Sequence, residues 1–321
     1  MKYHPNKSVL FITFAIEQGL LLLNNPLGHL IVKSCLARAL YLHPVKICHL
    51  LVEPSHIHLI AVVVNPDDVP SFIKCFKTES AHYINALLGR NKRTVWCEGY
   101  DSPVVLTYLR ALVAICYLYS NPAKDNLEES IDAYPGFSTW RMFKNERHSV
   151  ACEWLHRPQF KLLTKDSHNL RGYTKRAEQI AREATEHHEF TIEPNAWMEA
   201  FGFTDPVRQQ YLNKTILERV RKLEKRAAAA RIKDKKKVIG ANRLINQRFD
   251  VTYLSNRRGK RTWCLSEKRS VRMTFITFFK ELMDQARQIR KKWIQGDFSI
   301  PYPAGLHPAS MPKLANVLSL M

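Results

Sequence analysis

Two short stretches carry residues whose types and spacing could do chemistry. The first is Val52-Glu53-Pro54-Ser55-His56-Ile57-His58-Leu59-Ile60, and the second is Ile115-Cys116-Tyr117-Leu118-Tyr119-Ser120-Asn121-Pro122. The first reads as a strand, because β-branched and apolar residues run on to position 64. Side chains two apart on a strand share a face, so His56 and His58 present two imidazoles side by side. The second reads as the end of a helix, where residues four apart share a face, so Tyr117 and Asn121 stack on one side. Laid over the strand, that face would gather two imidazoles, an amide oxygen and a phenol around one point. Two nitrogens and an oxygen with open positions suit a divalent metal such as Mg²⁺ or Mn²⁺. A phenol beside such a metal is placed to attack a phosphodiester as a covalent nucleophile. Taken singly, each residue also fits an ordinary role: half-buried histidines, a rim tyrosine, and an asparagine closing a helix before Pro122.

The elements that must position these residues can be read from periodicity. Strands are expected at 9–15, 45–52, 56–64 and 94–98, and helices at 27–42, 67–88 and 104–121. The short Glu53-Pro54-Ser55 link implies an antiparallel hairpin. The order β-α-β-β-α-β-α predicts a ferredoxin-like α+β layer, with helices on one face of an antiparallel sheet. Tyr119 lies about 200° round the helix from Tyr117, so both cannot face the histidines. Asn121 is the i+4 neighbour of Tyr117, which makes Tyr117 the nucleophile; Tyr119 is the substitute if the helix ends early.

These stretches resemble the HUH-type single-tyrosine transposases, most closely the REP-associated tyrosine transposase branch. That branch has a Pro-Asn-His-apolar-His strand and a later Tyr-Ile-x-x-Asn-Pro helix end. Here they stand as Pro54-Ser55-His56-Ile57-His58 and Tyr117-Leu118-Tyr119-Ser120-Asn121-Pro122. Phe76-Lys77, Ile84-Asn85 and Val95-Trp96-Cys97-Glu98-Gly99-Tyr100 follow the family's order between them, and Tyr134-Pro135-Gly136-Phe137-Ser138-Thr139-Trp140 resembles its ending. Ser55 replaces the usual Asn and Gly136 the usual Trp. The resemblance covers about residues 5–145 and implies the HUH nuclease fold. It implies a transposase that cuts and rejoins single-stranded or hairpin DNA, through a 5′-phosphotyrosine link on Tyr117 and a metal held by His56, His58 and Asn121.

The chain has 321 residues and a formal net charge of +20, which fits a polyanionic partner. Residues 219–292 hold 24 Lys/Arg against 6 Asp/Glu, so the charge sits mostly in the second half. Long helices are expected at 169–188, 207–237 and 271–295, a further helix at 144–157, and two strands at 249–253 and 262–265 joined by a basic turn. The tail from 296 is proline-rich and expected to be irregular. A catalytic domain at 1–145 followed by a basic, mainly helical, DNA-binding region at 146–321 is the simplest division. Arg90, Lys92 and Arg93 in one turn, and Arg257, Arg258 and Arg261 in another, are candidates for guiding the phosphate backbone.

Seven scattered cysteines with no C-x-x-C pair support neither a disulfide framework nor a zinc knuckle. A reducing cytoplasm, in association with the nucleoid, is the expected setting. The apolar run 9–23 is interrupted by Glu17 and Gln18, so neither a signal peptide nor a membrane span is expected. A monomer or homodimer is expected. Two alternatives stay open: a non-cleaving hairpin-binding regulator of DNA or RNA on the same fold, and a metal-dependent RNA nuclease that leaves Tyr117 without a role.

Overall fold

The computed structural model describes residues 2–91, 93–158, 160, 173–248, 251–253 and 262–307. In chain order the elements are β1 (Lys2–Tyr3), β2 (Val9–Ala15), α1 (Pro26–Leu42), β3 (Lys46–Val52), β4 (His56–Val62), α2 (Asp68–Leu87), β5 (Val104–Val105) and α3 (Tyr108–Lys124). There follow α4 (Trp140–Lys144), β6 (Ser149–Glu153), α5 (Tyr173–Glu183), β7 (His187–Thr191), α6 (Ala196–Ala200) and α7 (Pro206–Lys233). The last are α8 (Ala241–Ile245), β8 (Cys264–Leu265), α9 (Arg269–Ile294) and β9 (Leu306–His307).

A five-stranded sheet, ordered β3-β4-β2-β5-β8, divides the molecule. Its three long strands are antiparallel, and the register pairs Thr13 with His58 and Ala15 with His56. The side-chain alternation of each strand sends residues to two different cores. Leu10, Ile12, Phe14, Leu50, Val52, Ile57, Leu59 and Ala61 face α1 and α2, packing with Ile31, Leu36, Phe72 and Phe76. Val9, Cys48, Leu51, Ile60 and Val62 face α3 and α7, packing with Ile115, Leu118, Ile216 and Val220. The helices therefore cover both faces of the sheet, not one as expected. The near-continuous apolar runs of β3 and β4 are the physical reason, since a strand buried on both sides has no polar face. A register shift between Ile47 and His49 is a β-bulge. It turns His49 to the same side as Cys48, where the His49 imidazole meets Tyr119.

Several boundaries differ from expectation. The sheet is mixed, because β5 pairs antiparallel with β2 but parallel with β8. Val104 and Val105 are strand, so α3 begins at Tyr108. The helix also passes through Pro122 to Lys124 instead of ending at Asn121. Proline there costs one backbone bond, and burial of Leu118 and Ala123 beside it holds the last turn. Residues 94–98 are not a strand; Trp96 makes an isolated bridge to Ile16, with Cys97 N–H donating to Ala15 O at 2.9 Å. The expected helix at 144–157 is instead β6, following the end of α4, and 169–188 gives α5 and the start of β7; β6 and β7 pair antiparallel. Their period-2 pattern buries Cys152, His188 and Phe190 towards α1. Thr252 bridges Leu20 while Cys264–Leu265 joins the sheet, so 249–253 and 262–265 take different partners.

Residues beyond 145 contribute to both cores: Phe190 and Ile192 to the first, Trp197, Leu212 and Ile216 to the second. Gly136 abuts the Tyr134 ring, whose hydroxyl donates to Asn24 Oδ1 and Val52 O at 3.0 Å each. The tyrosine thus occupies the space a larger residue at 136 would need. Among the described residues no helix is long and apolar enough to cross a membrane.

Candidate functional site

The hairpin β3-β4 builds the site. Glu53 N–H donates to His56 O at 2.8 Å, closing a tight link through Pro54 and Ser55. That closure brings the Glu53 side chain back under the first residues of β4. His56 and His58 then point to the α3 side, in line with Ile60 and Val62. Glu53 Oε2 lies 2.8 Å from His56 Nε2 and 3.4 Å from His58 Nε2. The imidazole ring centroids are 4.6 Å apart. Ligand atoms of all three residues fall within 4.8 Å of one another.

The outer nitrogen of each ring is already engaged: His58 Nδ1 with Thr13 Oγ1 at 2.9 Å, and His56 Nδ1 with Ser55 Oγ at 3.2 Å. Both Glu53 carboxylate oxygens are buried without hydrogen-bond geometry to any partner among the described residues. Glu53 Oε2 thus stands between two imidazole Nε2 atoms, a donor set that suits a divalent cation. Cis ligands on an ion with bonds of 2.1 Å lie about 3 Å apart, which the 2.8 and 3.4 Å approaches match. The residues present therefore fit a divalent metal.

The electrostatics agree. Burial alone would raise the Glu53 carboxyl, but the two imidazoles outweigh it and hold it at about 2. Burial works against the charged form of His56, and Glu53 reverses this, so its net shift is upward. His58, more deeply buried, is shifted downward. Asp125 is shifted upward by burial and by Glu53.

Helix α3 supplies the other half. The Tyr117 ring lies edge-on to His58 with centroids 6.4 Å apart, and Phe11 stacks on His58 at 5.5 Å. Tyr117 is 40% exposed, while Asn121, one turn on, is buried with its Oδ1 unpartnered among the described residues. Lys124 Nζ lies 4.4 Å from the centroid of the Tyr117 ring and donates to its Oη at 3.3 Å. Tyr119 faces the opposite way. It is fully buried, its hydroxyl is bonded to His49 Nδ1 and Thr139 Oγ1 at 2.9 Å each, and burial raises its pKa. Tyr119→Phe should lower stability by about 1–3 kcal/mol, since it strands two buried partners. Thermal melting of the variant beside the parent checks this.

Arg90 and Arg93 leave the end of α2 and line two different surface pockets. Lys92, Arg257, Arg258 and Arg261 lie outside the described residues. Within basic α7, Arg231 is 5% exposed; it pairs with Glu129 and donates to Ala123 O at 2.5 Å, so it anchors the end of α3. Sequence reasoning missed Glu53, Thr13, Lys124 and Asp125. Glu53 had one readable signal, a carboxylate placed in the hairpin link directly before His-x-His.

Fold and site together define a three-layer α+β protein with a carboxylate–bis-imidazole centre beneath a tyrosine-bearing helix. No family model matches the chain, and no curated protein matches it. A solved structure, the REP-associated tyrosine transposase bound to a REP hairpin, is similar over 45% of this chain and 84% of its own, at 18% identity and a TM-score of 0.39.

Proposed function

We propose that this chain is a single-strand DNA nuclease and strand transferase of the HUH type, with Tyr117 as its nucleophile. The observation that carries the proposal is the convergence of Glu53, His56 and His58 directly beneath the exposed Tyr117 ring. Glu53, His56 and His58 would hold the cation, with the buried Asn121 Oδ1 as a further ligand. Two nitrogens and carboxylate or amide oxygens favour Mn²⁺ or Mg²⁺. When bound, the ion supplies Lewis-acid polarisation of the scissile phosphate.

Tyr117 does the bond-making. Its Oη, losing a proton to solvent, bonds to phosphorus; the 3′ oxygen leaves and takes up a proton. The products are a 5′-phosphotyrosine link and a free 3′-OH. The link conserves the phosphodiester energy, so a second 3′-OH can reverse the step and transfer the strand. Lys124, within hydrogen-bond distance of Oη, stabilises the oxyanion before attack and when Tyr117 departs. Tyr117 is exposed at a rim, and a phosphate there is reached most readily in an unpaired strand.

Labelled hairpin DNA with a single-stranded flank, incubated with Mn²⁺ and run on a denaturing gel, tests the proposal. A labelled species retained at the protein's mass is expected, and removal of metal with a chelator should abolish it. Free cut product with no covalent species would point instead to a hydrolytic nuclease.

A further inference from the structure

A second pair of histidines lies beyond the other end of β4 from His56 and His58, where the two ends of the described chain meet. Strand β1 pairs antiparallel with β9, so Lys2 opposes His307 and Tyr3 opposes Leu306. His4 follows directly, its N–H donating to Gly305 O at 2.7 Å. Gly305 adopts φ 73, and a Cβ there would approach His4 O at 2.7 Å, so the close crossing of the two ends depends on glycine. This crossing sets the His4 and His307 rings with centroids 4.9 Å apart.

Each ring has one nitrogen engaged and one left over. His4 Nε2 is bonded to Ser102 Oγ at 3.0 Å. His307 Nδ1 lies 3.7 Å from the Asp67 carboxylate. The remaining nitrogens, His4 Nδ1 and His307 Nε2, are buried and have no hydrogen-bond partner among the described residues. His4 is itself 0% exposed. The Pro66 carbonyl faces both rings. At His4, an oxygen on one ring nitrogen leaves the other nitrogen for a metal. Two imidazoles on one ion, with bonds of 2.1 Å at angles of about 90–110°, have ring centroids about 4.6–5.3 Å apart. The 4.9 Å separation falls inside that interval.

We propose that His4 Nδ1, His307 Nε2 and the Pro66 carbonyl hold a divalent transition-metal ion of the zinc type, stapling β1 to β9. Two imidazoles with a single carbonyl suit Zn²⁺ or Co²⁺ better than Mg²⁺ or Ca²⁺, which prefer all-oxygen shells. The site shares no residue with the Glu53–His56–His58 centre. Its role is structural, holding β1 against β9.

The test uses the full chain, stripped with a chelator and titrated with Zn²⁺ by calorimetry. His307→Ala and His307→Gln should each bind one equivalent fewer than the parent. The choice of His307 over the fully buried His4 limits the risk of misfolding. In the parent, Zn²⁺ should increase hydrogen-exchange protection of Lys2, Tyr3, Leu306 and His307, and in the His307 variants it should not. Equal stoichiometry in parent and variants, or unchanged protection at the chain ends of the parent, overturns the site. His56→Ala should lose a different equivalent, with protection at the chain ends still responding to Zn²⁺. An unchanged count in His56→Ala would count against the metal centre of the proposed nuclease and leave the staple intact.

Discussion

Tyr117→Phe should abolish the covalent protein–DNA species while leaving the fold and DNA binding close to those of the parent. The substitution deletes one oxygen from a half-exposed ring. Its edge-on contacts with His58 and Phe11 are made by ring carbons and survive. The one hydrogen bond lost is that from Lys124, whose ammonium is solvated. Stability should therefore change by no more than about 0.5 kcal/mol. Removing the nucleophile of a covalent mechanism is a far larger effect, a rate loss on the order of 10⁴-fold or more. The measurement is a denaturing gel with labelled hairpin DNA, alongside a binding curve at the same salt concentration. Adduct formation that continues in Tyr117→Phe would remove Tyr117 from the chemistry. Adduct lost in both Tyr117→Phe and a chelated parent, with binding retained in each, is the expected pattern.

Much of the site was legible because it depends on local periodicity. His56 and His58 sit on one strand face by period 2, and Tyr117 and Asn121 share one helix face by period 3.6. Neither needs a long-range contact to be predicted. What escaped depends on tertiary closure. Glu53 in the sequence is an acidic residue before a proline, which reads as turn chemistry; only the backbone closure from Glu53 to His56 swings its carboxylate under the imidazoles. Pro122 reads as a helix stop, yet packing around Leu118 and the anchoring of Ala123 O by Arg231 carry the helix on to Lys124 and Asp125. The two-sided sheet was present in the sequence as near-continuous apolar runs in β3 and β4, a pattern at odds with a solvated face. Strands β5 and β8 are two residues each, too short for any periodicity to register.

Glu53→Gln should remove most of the Mn²⁺ affinity, although Glu53 lies outside the His-x-His motif. A carboxylate ligand brings full negative charge to the ion, and an amide of the same shape brings only a dipole. The parent, stripped of metal and then given Mn²⁺ at 100 times its dissociation constant, should gain about 2.7 kcal/mol of stability, read as a rise in melting temperature. In Glu53→Gln that rise should largely vanish, and adduct formation at low Mn²⁺ should fall with it. Asn121→Ala should keep more of both, because water can replace a neutral oxygen ligand. The response to Mn²⁺ discriminates between two explanations of the cluster. If Glu53, His56 and His58 were only an ion-pair network, deleting the buried charge would leave imidazoles without their partner and cost stability in the absence of metal. If the cluster is a cation site, the same loss appears without metal, because the imidazoles already hold the Glu53 carboxyl down, and the Mn²⁺-dependent rise is lost as well. A lower metal-free melting temperature together with parent-like Mn²⁺ binding would show that the three residues hold one another and not an ion.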